Sequence, residues 1–266
     1  MQHRLILVEG LPCSGKSTAA KFIAERFGMT AVDEGTGNHP ADYEFHAFLD
    51  EAALAGFSGA EQRQILAAAE PLMNGHLVPL AAFRETPLFA RLLLFKIYDF
   101  LPWETEKPLM LDKWHRFVSG IGTRRYVFNC VFLQNPMCET MMRFNQTPAE
   151  SAAYVGKIAE IISPLNPVVV YLRNSHIAGR IRAALPERGE EWLNAVTDYH
   201  CKGSYGKAHG LTGFDGYIAA LEERQSREIG VLENLGLRHL YLFDPQEDWD
   251  AAYRTLTERL TVMSAD

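Results

Sequence analysis

The chain has 266 residues, 47% of them hydrophobic, which is enough for one large α/β domain or for a core carrying an insertion. Its net charge of −7 runs against a sequence-independent nucleic-acid binder, which carries a basic field, yet leaves a nucleotide ligand open because local cations decide that. Cys13, Cys130, Cys138 and Cys201 show neither a C-x-x-C pair nor metal-type spacing, no secretory pattern is read before the first strand, and the longest apolar stretch, 87–101, is too short and too charged to span a bilayer. A reducing cytoplasm is the expected home.

Leu5 to Val8 is a short apolar run of strand type. Directly after it, Gly10, Leu11, Pro12, Cys13, Ser14, Gly15, Lys16 and Ser17 match G-x-x-x-x-G-K-[ST], the phosphate-binding loop. Glycines let the backbone bend so that successive N–H groups point inward, and a new helix adds its positive dipole end. Lys16 supplies a cation for β- and γ-phosphates, Ser17 a hydroxyl for Mg²⁺, and Thr18 a reach to the α-phosphate. An amphipathic helix then runs to Gly28, a left-handed cap. With a strand before and a helix after, the motif resembles that of the P-loop kinases, which include nucleoside, nucleotide and small-molecule phosphotransferases. The motif itself spans about the first tenth of the chain.

Residues 29–33 read as a second strand ending in Asp33 and Glu34, which places both acids at the carboxyl edge of a parallel sheet, where ligands bind. Either acid can accept a hydroxyl proton or hold Mg²⁺ through water; the competing reading is a pair of solvated turn acids. His39 and Asp42 follow as candidates for a polar acceptor, against a capped helix start with Asp42 in its first turn. Residues 41–120 read as mostly helical: a capping box at Ser58–Glu61, a break over 70–79, a buried apolar helix over 87–101 and another helix over 108–118. In the P-loop kinases such an insertion builds the acceptor pocket.

Residues 125–133 read as a buried strand, followed by Gln134 and Asn135 at the ligand edge as acceptor readers, with a polar turn before Pro136 as the plain alternative. A P-loop protein often carries a Walker-B acid on this strand; here Asn129 occupies the place. That departure shifts metal duty to Ser17, waters and the second-strand acids. The string Leu109-Met110-Leu111-Asp112 is a weaker substitute. Thr147-Pro148-Ala149-Glu150 opens a helix, 168–172 is a fully buried strand, and a helix follows to about Leu185. Residues 186–216 read as a lid-like segment, mobile and Gly-rich over 201–213, with Arg182, Arg188, Lys202 and Lys207 as cations over the phosphates; a surface loop with scattered lysines is the alternative. A long helix from about Asp215, a strand over 238–243 and a helix capped by Asp244–Glu247 complete the chain.

Strands alternating with helices imply a parallel sheet with right-handed crossovers. The expected fold class is α/β, and the resemblance implies a P-loop NTPase three-layer fold with a five-stranded parallel sheet in the order 2-3-1-4-5. A single domain over 1–266 is expected, with a core over 1–40 and 121–266, a helical insertion over 41–120 and the lid over 186–216. Catalytic roles fall to Lys16, Asp33, Glu34 and Arg188. Nucleotide contacts fall to Gly10, Pro12, Cys13, Ser14, Gly15, Lys16, Ser17, Thr18 and Arg182. Acceptor contacts fall to His39, Asp42, Gln134, Asn135, Lys202 and Lys207, with Ser17 on the metal. The expected activity is transfer of the γ-phosphoryl group of ATP, with Mg²⁺, to a small-molecule hydroxyl such as a nucleoside, sugar or natural product. A nucleoside monophosphate kinase, or a nucleotide sensor without transfer, is the alternative. Neither nucleic acid nor a membrane is an expected partner, and a homodimer is compatible with the chain.

Overall fold

The computed structural model describes residues 3–35 and 37–265. It has two compact units: Met1–Asp33 with Val118–Asp266, and Glu34–Phe117. The first unit opens with strand β1 (Leu5–Gly10), helix α1 (Lys16–Phe27) and strand β2 (Thr30–Val32). Gly28 ends α1 in the left-handed conformation, as the sequence predicts.

The chain then enters the second unit, whose regular structure is mostly helical, as the sequence predicts, but which also carries a sheet that the sequence does not announce. Strands β3 (His46–Asp50), β4 (Glu70–Leu72) and β5 (Gly75–Pro79) form an antiparallel sheet in the order β3-β5-β4. The expected break over 70–79 is instead a hairpin whose turn includes Met73 at φ 52°. Pro71 misleads a sequence reader because proline cannot donate to a ladder, but β4 is an edge strand and pairs on one side only. Between β3 and β4 lie α2 (Glu51–Ala55) and α3 (Gly59–Ala68), the latter opened by the expected capping box of Ser58 and Glu61.

The apolar stretch 87–101 is not one buried helix. It divides into α4 (Phe89–Leu93) and a single turn, α5 (Ile97–Phe100), broken within itself by Tyr98 at ψ 141° and Asp99 at φ 75°. Tertiary pairing overrides helical periodicity here: the Phe48 N–H donates to the Phe95 carbonyl, and Ala47 bridges Lys96, so this segment is drawn onto the free edge of β3. Leu94 is left 62% exposed. Helix α6 (Trp103–Gly120) begins a turn before its Pro108. Ala47, Leu49, Ile65, Val78, Phe83 and Leu92 form the core of this unit.

The first unit resumes with strand β6 (Tyr126–Asn129), which stops earlier than predicted because Cys130 adopts φ 74°. Next come the short α7 (Gln134–Met137), a π turn over Cys138–Arg143, α8 (Pro148–Ile162) and strand β7 (Val168–Arg173). Thr147 and Glu150 close the predicted capping box on α8. Helices α9 (Ile177–Arg188), α10 (Glu190–Lys202), α11 (Ser204–Ala208) and α12 (Gly213–Asn234) lead to strand β8 (Arg238–Phe243) and α13 (Trp249–Ala265). The predicted mobile loop over 201–213 is therefore largely helical. Gly203 and Gly206 serve close packing rather than mobility: a Cβ on Gly206 would lie 2.3 Å from the His200 carbonyl oxygen.

The predicted cap on the last helix is also displaced. Asp244 sits at φ 42° and its carboxylate accepts from the Ser175 N–H at 3.0 Å, while Asp248 accepts from the Ala251 N–H at 2.9 Å and takes the capping role.

All five strands of the main sheet run parallel in the order β2-β6-β1-β7-β8, which is 2-3-1-4-5 when only these strands are counted along the chain. Ile6, Val8, Val127, Val168 and Val170 pack with Ile23 of α1 and Leu256 and Leu260 of α13 on one face. On the other face, Tyr171 points at α12, where its hydroxyl donates to Glu228 at 2.6 Å and Glu228 pairs with the buried Arg224 at 3.1 Å. Helices on both faces make the three layers. Register aligns Val8 with Asn129, Gly10 with Leu172 and Val32 with Phe128, so β1, β6, β7 and β2 present their carboxyl ends at one edge. That is the edge where the phosphate-binding loop emerges.

Candidate active site

The loop between β1 and α1 is shaped by backbone geometry that few residues tolerate. Gly10 adopts φ 142°, and a Cβ there would lie 2.5 Å from the Leu172 carbonyl oxygen. Gly15 caps α1 at φ 93°, where a Cβ would lie 2.7 Å from the Trp249 ring. Between them, Cys13 takes the left-handed region at φ 60°, unusual for a side chain of its kind. Gln246 braces the loop from outside, donating through Nε2 to the Cys13 carbonyl at 2.7 Å. Pro12 is half-buried and Thr18 exposed.

Lys16 is the first residue of α1 and only 7% exposed, with Nζ donating to the Leu11 carbonyl at 2.7 Å. The amine is thus held over the loop at the positive end of a helix. Ser14 Oγ is buried without a hydrogen-bond partner among the described residues. An orphaned hydroxyl, an inward cation and a helix N-terminus are what an anionic polyphosphate requires. Gly15→Ala is expected to lower unfolding free energy by roughly 1–3 kcal/mol, since the added methyl meets an indole on a strained φ. Urea unfolding checks this, and an unchanged midpoint would show that Trp249 does not set the loop.

Ser17, exposed at the first turn of α1, accepts from Asn129 Nδ2 at 3.0 Å. The same amide nitrogen donates to Asp33 Oδ1 at 3.0 Å, and Cys130 Sγ donates to Asn129 Oδ1 at 2.9 Å. A carboxylate accepts only, so the amide must turn its nitrogen toward Asp33. Asn129 therefore does not replace a missing acid; it holds one, drawing the β2 carboxylate toward the Ser17 hydroxyl. Of the two second-strand acids, the structure brings Asp33 to this cluster. Glu34 is exposed in the following turn, in the segment of the second unit, where the Glu44 carboxylate accepts from the Gly35 and Gly37 N–H groups at 2.6 and 2.8 Å.

The candidate acceptor residues His39 and Asp42 are both buried inside the second unit, in turns rather than at a helix start. His39 Nδ1 accepts from the Ala41 N–H at 3.1 Å, and Asp42 Oδ1 from the Tyr43 N–H at 2.6 Å. Burial, and then the charge of Lys113, pull His39 down to about 4, so it is neutral at pH 7. Lys113 lies 4.6 Å from the Tyr43 ring centre. Asp112 is mid-helix in α6 and paired with Arg116, which removes the strand-borne reading of that string.

Gln134 and Asn135 open α7, half-buried. The Gln134 backbone N–H donates to Glu9 Oε2 at 3.1 Å, and Phe132 N–H donates to Glu9 Oε1 at 2.7 Å. Glu9, just before the loop, thus grips backbone. Arg143 pairs with Glu139 at 2.8 Å along the π turn.

Among the lid cations, Arg182 stacks on Phe214 at 4.7 Å and the exposed Arg188 lies 5.8 Å from the Trp192 ring centre. Burial pushes the Cys13 thiol up, opposed by the charges of Arg188 and Lys16. Lys202 is tied to Asp198 at 2.7 Å along α10, and Lys207 is exposed on α11. Among the described residues, no hydrogen bond or ion pair joins either lysine to the loop. Sequence reading missed Gln246 and Trp249, which no motif marks, and the bridging role of Asn129.

Among the described residues, no cluster of three or more His, Cys, Asp or Glu could hold a metal, and no helix is long and apolar enough to cross a membrane. No protein-family model and no curated protein matches the chain. Solved structures similar to it include YorR of Bacillus subtilis in complex with phosphorylated GDP, at 12% identity and a TM-score of 0.46, covering 98% of each chain. Deoxyadenosine kinase of M. mycoides with bound dATP matches at 13% identity and a TM-score of 0.44, over 97% of this chain and 99% of that one. Thymidylate kinase of Candida albicans matches at 10% identity and a TM-score of 0.45, over 97% and 93%. The chain's own geometry establishes the fold: a P-loop α/β architecture, with the phosphate loop after the central strand of a 2-3-1-4-5 parallel sheet.

Proposed function

We propose that the chain is an ATP- and Mg²⁺-dependent phosphotransferase acting on the hydroxyl of a small molecule. The observation that carries this reading is the Ser17–Asn129–Asp33 cluster beside the loop and Lys16. A carboxylate beside the metal-binding hydroxyl serves a switch as well, through the metal; transfer asks in addition that it take the acceptor proton. In the reading, loop N–H groups and Lys16 bind the β- and γ-phosphates, and Ser17 Oγ with Asp33 would hold Mg²⁺ directly or through water. The ion, when bound, neutralises charge on the phosphate oxygens. The acceptor oxygen attacks γ-phosphorus, the bond to the bridging β–γ oxygen breaks, ADP leaves, and the acceptor proton passes to Asp33. Arg188 closes over the phosphates from α9.

The test is ATP consumption with Mg²⁺ across a pooled library of nucleosides, nucleoside monophosphates, sugars and antibiotics, read by mass spectrometry. A product heavier by one phosphoryl group supports transfer and names the acceptor. Tight ATP binding without product from the whole library would favour a sensor and sink the reading.

A further inference from the structure

Glu9 is the last residue of β1 before the phosphate loop begins at Gly10, and it is wholly buried. The charged and titratable groups that act on it are Lys16 of α1 and Glu228 of α12, with Tyr171 of β7 opposite it in register. The Tyr171 hydroxyl donates to Glu228, which also pairs with Arg224. The Glu9 carboxyl is pushed up to about 7, chiefly by burial and secondarily by Glu228, against the pull of its two backbone donors and Lys16. A buried acid weakens a fold unless its oxygens are satisfied. Glu9 is satisfied by two backbone N–H groups, which an apolar side chain would leave unpartnered.

What it holds is the turn after β6. Cys130 adopts φ 74°, a conformation that costs a non-glycine residue about 1–3 kcal/mol. The turn persists because it is fixed on two sides: Cys130 N–H donates to the Val8 carbonyl at 3.2 Å, and Glu9 takes both Phe132 and Gln134 N–H. Immediately before the turn stands Asn129, whose amide bridges Ser17 and Asp33. We propose that Glu9 is a positioning residue: by gripping the Phe132 and Gln134 N–H groups it holds the turn that aims the Asn129 amide at Ser17 and Asp33. The consequence for Mg²⁺-linked nucleotide binding rests on the proposed function; the aiming of Asn129 does not.

Glu9→Gln keeps the volume but turns one accepting oxygen into a donor that faces an N–H. In the nucleotide-free variant, amide hydrogen exchange at Phe132 or Gln134 is expected to quicken about tenfold. The Asn129 side-chain NH₂ resonances should shift with it. In ATP titrations, the gain in affinity produced by Mg²⁺ should fall about tenfold in Glu9→Gln and in Asn129→Ala, with no further loss in the double variant. Losses that multiply in the double variant, or unchanged Asn129 resonances in a folded Glu9→Gln protein, would overturn the proposal. Should Glu9→Gln not fold, Glu9→Asp, which keeps both accepting oxygens but draws them one methylene back from the turn, should move the same resonances; constancy would overturn it equally. If the wild-type protein shows no affinity for MgATP, the kinase reading falls, and the nucleotide-free resonances alone decide on Glu9.

Discussion

Replacing Lys16 with alanine is expected to lower phosphoryl transfer on the order of a thousandfold, the scale of losing a preorganised charge aimed at a developing anion. The geometry explains why the loss is concentrated in function. Lys16 is the first residue of α1, and its amine is held at the loop by the Leu11 carbonyl at 2.7 Å. Alanine suits a helix, so backbone structure is retained, and the lost hydrogen bond costs about 1 kcal/mol of stability. ATP affinity and turnover, measured beside thermal unfolding, separate these effects. Near wild-type turnover, or unaltered ATP binding, in a folded Lys16→Ala protein would mean that the cradle has been misassigned.

The cradle was legible because its chemistry lies in consecutive residues, Gly10 to Thr18, whose spacing is itself the signal. The alternation of Val-rich runs with helical ones made the parallel sheet legible too, down to the cap at Thr147. What stayed hidden depends on distance along the chain. Asn129 meets Asp33 and Ser17 across 96 and 112 residues, and read alone it looked like a missing acid rather than a clamp on one. Glu9 meets Phe132 and Gln134 across more than 120 residues, so only coordinates reveal that it holds two backbone N–H groups. The second unit misled for another reason. Its strands are three to five residues long, too short for a period to show, and Pro71 and the two-residue turn beside Met73 look like a break. In the lid, glycine was read as mobility, whereas at Gly206 it permits two backbone segments to touch.

Asp33→Asn is the substitution that decides between an enzyme and a binder. It keeps the side chain's shape and removes the charge, and it is expected to lower turnover on the order of a thousandfold, within the range of losing a proton acceptor. ATP binding without Mg²⁺ should be untouched, since the loop and Lys16 lie on other elements. The new amide must also meet Asn129 Nδ2, which already donates to Ser17 and to Asp33 Oδ1 at 3.0 Å each. It can accept that bond through its oxygen, so the cluster stays assembled while its charge is gone. Turnover as a function of Mg²⁺ concentration then separates two ways of failing. A higher Mg²⁺ requirement with recoverable turnover assigns Asp33 to the ion, whereas loss at saturating Mg²⁺ assigns it to the acceptor proton. Glu34→Gln is the control, one residue along in an exposed turn, and should change turnover by less than about threefold, the scale of an ordinary surface substitution. The reverse result, with Glu34 essential and Asp33 dispensable, would detach catalysis from the Asn129 cluster and leave Glu9 holding a turn of no consequence to transfer.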